Sequence, residues 1–229
     1  MHSTNDSLHS RVPGVAEARK PIELAGSRLE NHCHICAFFH SKEEEYPVLL
    51  PFIKEGLERG EKAFHVVDPK LRNEHLRYLE SVGIETAAVE QSGQLELRNW
   101  HEAYLLDGHF DQDRMLALLQ SVLDEARQEG FPLTRLVAHM EWALEDRPGV
   151  NDIVEYETRL NYFLHEYPDP VVCVYDLAQF GACVIDILRT HPMVIIGGVL
   201  QENPFFVPPD DFLSELRKRQ NRNIHSVAS

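Results

Sequence analysis

The chain has 229 residues, 43% of them apolar, and a formal net charge of −15 with histidine neutral. That is apolar content enough for one sizeable core. The acidic excess argues against a surface that attracts a nucleic-acid backbone. No stretch reaches the roughly 20 apolar residues of a membrane span, and the start MHSTNDSLHS lacks a secretory apolar core. The expected compartment is therefore the cytoplasm, with neither membrane nor nucleic acid as a direct partner.

Residues 1–28 are polar, mixed in charge and broken by Pro13 and Pro21, and they read as a flexible leader. The rest, 29–229, reads as one domain. Short apolar runs at 34–39, 63–67, 86–89, 133–140, 171–175 and 194–196 read as strands, several covered on both faces. A weaker alternating run lies at 94–98. Between them, Tyr46, Leu49, Leu50, Ile53 and Leu57 repeat at helical spacing before Gly60. Met115, Leu118, Leu119, Val122 and Ala126 do so before Gly130, and Ile153, Tyr156, Leu160 and either Phe163 or Leu164 before Pro168. A last helix is expected over 210–219. Its basic residues Arg217, Lys218, Arg219 and Arg222 read as a solvated helix end. Alternation of this kind predicts an α/β fold: a single doubly wound, mostly parallel sheet with helices on both faces.

The stretch NHCHICAFFHSKEEE, residues 31–45, carries the densest chemistry. Cys33 and Cys36 form a CxxC by spacing, but the residues that follow have strand composition. A reactive CxxC usually opens a helix, and residues three apart on a strand face opposite ways. His32, His34 and Cys36 share one face, a set able to bind zinc if neighbouring strands complete it. His139 and Cys173 are the candidates for that. The competing reading is a hydrogen-bonded histidine and a reduced thiol in an ordinary core.

After this strand a nucleotide-binding protein would place glycines and a lysine; the chain has His40-Ser41-Lys42-Glu43-Glu44-Glu45 instead. Ser41 with Glu44 has the spacing of a capping box, and three carboxylates there repel phosphate. No GxxxxGK[ST] occurs, so no P-loop nucleotide is expected. Ligands of doubly wound sheets collect where strands end. That rule selects His40, Asp68, Glu141, Trp142 and Asp176, with Glu141-Trp142 the more telling pair: an acceptor beside a flat apolar wall.

HICAFFHSKEE, LLPFIKEGLERGEKAFHVVD, GQLEL, HMEWAL, YETRLN, VVCVYD, HPMVIIGG and ENPFF, in this order across residues 30–207, resemble the MEDS domain, a methanogen/methylotroph sensory domain. The resemblance implies a RecA/KaiC-like fold without a working phosphate loop, and sensing of small hydrocarbon derivatives. Family motifs fall on His34, Cys36, Glu141, Trp142, Tyr156, Glu157, Tyr175 and Asp176. The expected ligand-binding set is His34, Cys36, His40, Glu141, Trp142, Tyr175 and Asp176. The flanks have no room for a DNA-binding unit, so the output is expected through a separate regulator or kinase, with a homo-oligomer left open. The alternatives are a metal- or thiol-dependent enzyme acting on a small organic compound, and a degenerate nucleotide binder.

Overall fold

The computed structural model describes residues 21–29, 34–181 and 184–227, with side chains through residue 221. A hairpin comes first, β1 Ile22–Leu24 and β2 Ser27–Leu29. Then follow β3 His34–Phe39, α1 Lys42–Glu58, β4 Lys62–Val67, α2 Arg72–Ser81, α3 Thr86–Gln91 and β5 Leu95–Asn99. The second half adds α4 Gln112–Gln128, β6 Thr134–His139, α5 Ile153–Leu164, β7 Val171–Asp176 and α6 Val184–Thr190. It closes with β8 Met193–Ile196, β9 Val199–Glu202 and α7 Pro209–Val227.

Seven strands form one sheet in the order β5-β4-β6-β7-β3-β8-β9. Every pairing is parallel except β8 with β9. Because side chains alternate along a strand, the sheet sorts its residues into two cores. Cys36, Phe38, Phe64, Val66, Leu136, Ala138, Cys173 and Tyr175 pack against α4 and α5. Ile35, Ala37, Phe39, Ala63, Val137, Val172 and Val174 pack against α1 and Leu79 of α2. This is the doubly wound α/β architecture that the strand–helix alternation predicts. All parallel strands end on the same edge, so residues 40, 68, 141 and 176 leave the sheet there.

One buried polar tie supports the α1 side. Arg135 of β6 is 1% exposed; it donates through Nε to Glu61 and through its terminal nitrogens to the Phe52 carbonyl and Glu55. Gly56 makes room for it, since a Cβ there would come within 2.6 Å of the Arg135 side chain.

Several elements differ from the sequence expectation. Residues 86–89 form the start of helix α3, not a strand; Ala88 and Val89 donate their N–H groups back to the Glu85 carbonyl. Two alanines favour that local turn, and β5 occupies the sheet position beside β4. Residues 22–29, all but the last in the expected leader, form the hairpin, turning on Ala25 and Gly26 with φ of 50° and 75°, and its Leu24 is buried in the α1-side core. The remainder of the leader lies outside the described residues. The capping box does not form. Ser41 occupies the N-cap of α1 without a side-chain cap bond, and the Glu44 carboxylate accepts from the His40 N–H instead.

Candidate functional site

Two buried polar clusters lie on opposite faces of the sheet. The first faces α1 and α2, beneath the carboxyl ends of β4 and β6. A narrow crevice there, open to solvent, is lined by Lys42, Tyr46, Val67, Asp68, Leu71, Glu74, His75, His139 and Glu141. Lys42 and Glu45 come from the first turn of α1, and Glu45 turns inward. Its carboxylate accepts from Lys42 Nζ at 2.7 Å and lies 2.7 Å from His139 Nε2. Burial alone would raise the Glu45 pKa, but His139 and Lys42 outweigh it and hold the group ionised. The other ring nitrogen, His139 Nδ1, is buried and without a hydrogen-bond partner among the described residues; it accepts when the ring is neutral and donates when it is protonated.

Behind His139 runs a chain of neutral groups. The Tyr46 hydroxyl is 2.8 Å from His75 Nδ1, and His75 Nε2 is 3.0 Å from His65 Nδ1. Burial lowers His65 to about 3 and His75 well below its ordinary value, with the neighbouring His139 adding to both effects. At the mouth, burial raises the Glu141 pKa against the opposing pull of His139 and Lys42, and its Oε1 is buried without a partner. The crevice thus combines apolar and charged walls with an unmatched ring nitrogen and a carboxyl biased toward its protonated form.

The second cluster faces α5. His34 from β3, Cys173 from β7, Glu157 from α5 and His191 just after α6 place one nitrogen, sulfur or oxygen atom each within 4.8 Å of all the others, and all four are buried. Glu157 Oε2 is 3.1 Å from His34 Nε2, 3.4 Å from His191 Nε2 and 3.8 Å from Cys173 Sγ. Cys173 Sγ is 3.7 Å from His34 Nε2. The Tyr175 hydroxyl donates to the other carboxylate oxygen at 2.9 Å.

The residues expected to share one ligand site are therefore divided between these places. His34 and Cys36 do face the same way, but both are sealed in the α5-side core, and the Cys36 thiol donates to the Met193 carbonyl at 3.7 Å. Tyr175 belongs to the second cluster. His139 points to the opposite face, so it cannot join His34, Cys36 and Cys173 around one ion. Glu141 and Trp142 part company. Glu141 lines the crevice, whereas Trp142 is 0% exposed and stacks on Tyr104 at 4.4 Å, as a core member and not a crevice wall. His40 is exposed, and Asp176 accepts from Ala178 N–H and the Gln179 amide in its own turn. Cys33 and His32 lie outside the described residues. His75, Glu45 and His191 were missed. Their signals were weak: Glu45 reads as one of three surface glutamates, His75 sits in a charged helix, and His191 merely opens the HPMVIIGG motif.

The family model for MEDS, described as MEthanogen/methylotroph, DcmR Sensory domain, matches residues 33–192. The chain belongs to the MEDS family. This MEDS protein is 27% identical over 183 residues to the transcriptional repressor DcmR of Methylorubrum extorquens (strain DSM 6343 / CIP 106787 / DM4). That alignment covers 79% of the present chain but only 66% of the repressor, just under two thirds of its length. Among solved structures, a KaiC-like protein, PH0186 from Pyrococcus horikoshii OT3, is similar at 16% identity with a TM-score of 0.48, over 71% of this chain and 70% of that one. Membership of the MEDS family makes this a sensory domain of the regulatory type. No helix among the described residues is long and apolar enough to cross a membrane.

Proposed function

We propose that this MEDS protein senses a small organic molecule, a hydrocarbon derivative with one hydrogen-bonding head, in the crevice at the carboxyl ends of β4 and β6. The observation that carries the reading is the pair of unmatched polar atoms, His139 Nδ1 and Glu141 Oε1, in a crevice where Val67, Leu71 and the Tyr46 ring form an apolar wall beside the charged Lys42, Asp68 and Glu74. Leaving a buried polar atom unmatched costs about 1–3 kcal/mol, so a ligand that supplies the missing partner recovers that much. The head group bonds His139 Nδ1 and Glu141, and the carbon body lies against the apolar wall.

Occupancy matters for signalling only if the ligand binds two arrangements unequally. Lys42, Glu45 and Tyr46 all belong to α1, so α1 and its contact with α2 form the element that the ligand biases. A separate regulator or kinase in the cytoplasm would read that change. The thiol-dependent enzyme alternative draws little support, because burial pushes both Cys36 and Cys173 well above the ordinary thiol range, opposite to an activated thiolate.

Calorimetric titration with a panel of one- to four-carbon alcohols, amines and halides tests the proposal. A hit should be lost in His139→Leu and in Glu141→Leu and retained in Cys36→Ser. Equal binding by all three variants would place the ligand elsewhere.

A further inference from the structure

We infer that His34, Glu157, Cys173 and His191 hold one divalent transition-metal ion, zinc by ligand type, in a closed four-coordinate centre that joins β3, β7, α5 and the end of α6. Geometry is the first support. Zinc bonds of about 2.0–2.1 Å to nitrogen or oxygen and about 2.3 Å to sulfur give tetrahedral edges of roughly 3.3 Å, and roughly 3.6 Å when sulfur is included. The nitrogen–oxygen separations here are 3.1 and 3.4 Å, and those involving Cys173 Sγ are 3.7 and 3.8 Å. The remaining pairs stay within 4.8 Å.

The count of protons is the second support. His191 Nδ1 lies 2.9 Å from the Ile187 carbonyl and 2.9 Å from the Thr190 hydroxyl; that hydroxyl donates to the same carbonyl at 2.7 Å and the carbonyl only accepts, so the ring nitrogen carries its own hydrogen. His34 Nδ1 lies 3.1 Å from Asn161 Oδ1. The orientation of that amide follows from its nitrogen, which donates to the carbonyls of Glu157, Thr158 and Thr190. His34 Nδ1 is therefore also the donor. Both neutral imidazoles then turn a bare Nε2 lone pair toward Glu157 Oε2, itself an acceptor. Three acceptors converge in a sealed space, and the Cys173 S–H is the single proton near them. A cation removes that conflict.

The surroundings fit the same ion. Metal-bound histidines characteristically give their second N–H to a carbonyl or similar acceptor, as both do here. Tyr175 occupies Glu157 Oε1 and leaves Oε2 for one bond. On binding, the Cys173 S–H bond breaks, its proton goes to solvent, and a zinc–sulfur bond forms. One thiolate and one carboxylate then balance the two positive charges, so the buried centre is neutral overall. With four protein ligands no position is open to a substrate, which marks a structural centre and not a catalytic one. The competing arrangement is an extra proton, giving a buried imidazolium–carboxylate pair.

The test uses the full chain, purified without a metal-affinity step, from zinc-replete cells and from cells supplied with cobalt. Elemental analysis should give about one zinc or one cobalt per chain. The cobalt protein should show the intense visible bands of a tetrahedral ion and a thiolate-to-cobalt charge-transfer band. A variant with Cys33→Ser, Cys36→Ser and Cys183→Ser, which keeps Cys173 as its one cysteine, should retain both features. Cys173→Ser should lose the charge-transfer band; if that variant does not fold, the three-serine variant still decides. Metal at or below about a tenth of an equivalent in both preparations would overturn the inference in favour of the protonated pair. So would cobalt bands of weak octahedral type, or bands that vanish in the three-serine variant.

Discussion

His65 should make this protein lose stability in mild acid, by an amount the structure lets one estimate. The ring is 0% exposed, its Nδ1 is committed to His75, and its Nε2 has no partner among the described residues. Burial, helped by the nearby His139, lowers its pKa from 6.5 to about 3. A folded pKa below the unfolded value means that the unfolded chain binds more protons. The stability linked to His65 is therefore complete above about pH 6.5 and falls as pH drops toward 3. Over the whole window this amounts to as much as about 5 kcal/mol, and between pH 7 and pH 5 to about 2 kcal/mol. Against a typical total of about 5–15 kcal/mol, 2 kcal/mol is easily measured. Urea unfolding followed by circular dichroism at pH 5, 6 and 7, at constant ionic strength, gives the stability of the natural protein and of His65→Gln. The variant retains His75 and all carboxylates; His75 loses its contact with His65, so the comparison reads the two rings together. Its stability should decline less between pH 7 and pH 5 by about 2 kcal/mol. Parallel pH profiles for the two proteins would refute the reasoning and show that His65 ionises in the folded state.

Three further substitutions probe the scaffold around the sites. Gly149→Ala should destabilise by at least about 2 kcal/mol in thermal unfolding, because φ is 82° there and a Cβ would lie 2.0 Å from the Phe110 carbonyl oxygen. Trp142→Ala removes a fully buried ring stacked on Tyr104 and should cost about 3–5 kcal/mol, with Trp142→Phe recovering much of it. A near-neutral Trp142→Ala would mean that the indole is not packed as described. Arg135→Met strands Glu61 and should cost about 3–5 kcal/mol in denaturant unfolding. Adding Glu61→Gln should restore part of that loss, and an equal or larger loss in the double variant would argue against the ion pair.

The elements legible in the sequence were those with dense apolar content. β3, β4, β6 and β7 are six-residue strands, each buried along all or nearly all of its length, and α1, α4 and α5 carry apolar stripes that survive in the packed structure. Helix α2 was passed over because it buries only His75 and Leu79, a stripe too thin for periodicity to detect. Strand β9 buries one side chain, Leu200, and offers no alternation to read. At 86–89 a valine and a threonine suggested a strand, but hydrogen bonds within the segment won over composition.

The sites were legible only as far as a strand's own geometry reaches. A period of two correctly put His34 and Cys36 on one face, yet it could not say what lies opposite them. His34 meets Glu157 and Asn161, 123 and 127 residues away, because α5 folds over that face of the sheet. Cys36, two residues on, reaches Met193 of β8 instead. The same rule separates His139 from His34, since register places His139 beside Val174 and not beside Cys173. A side chain's face is a local property, whereas its partner depends on which helix the topology lays across that face. For that reason the chemically suggestive residues of one short motif serve two distant clusters: Glu45, at the motif's end, supports the crevice on the α1 side, and His34, at its start, supports the His–Glu–Cys–His centre on the α5 side.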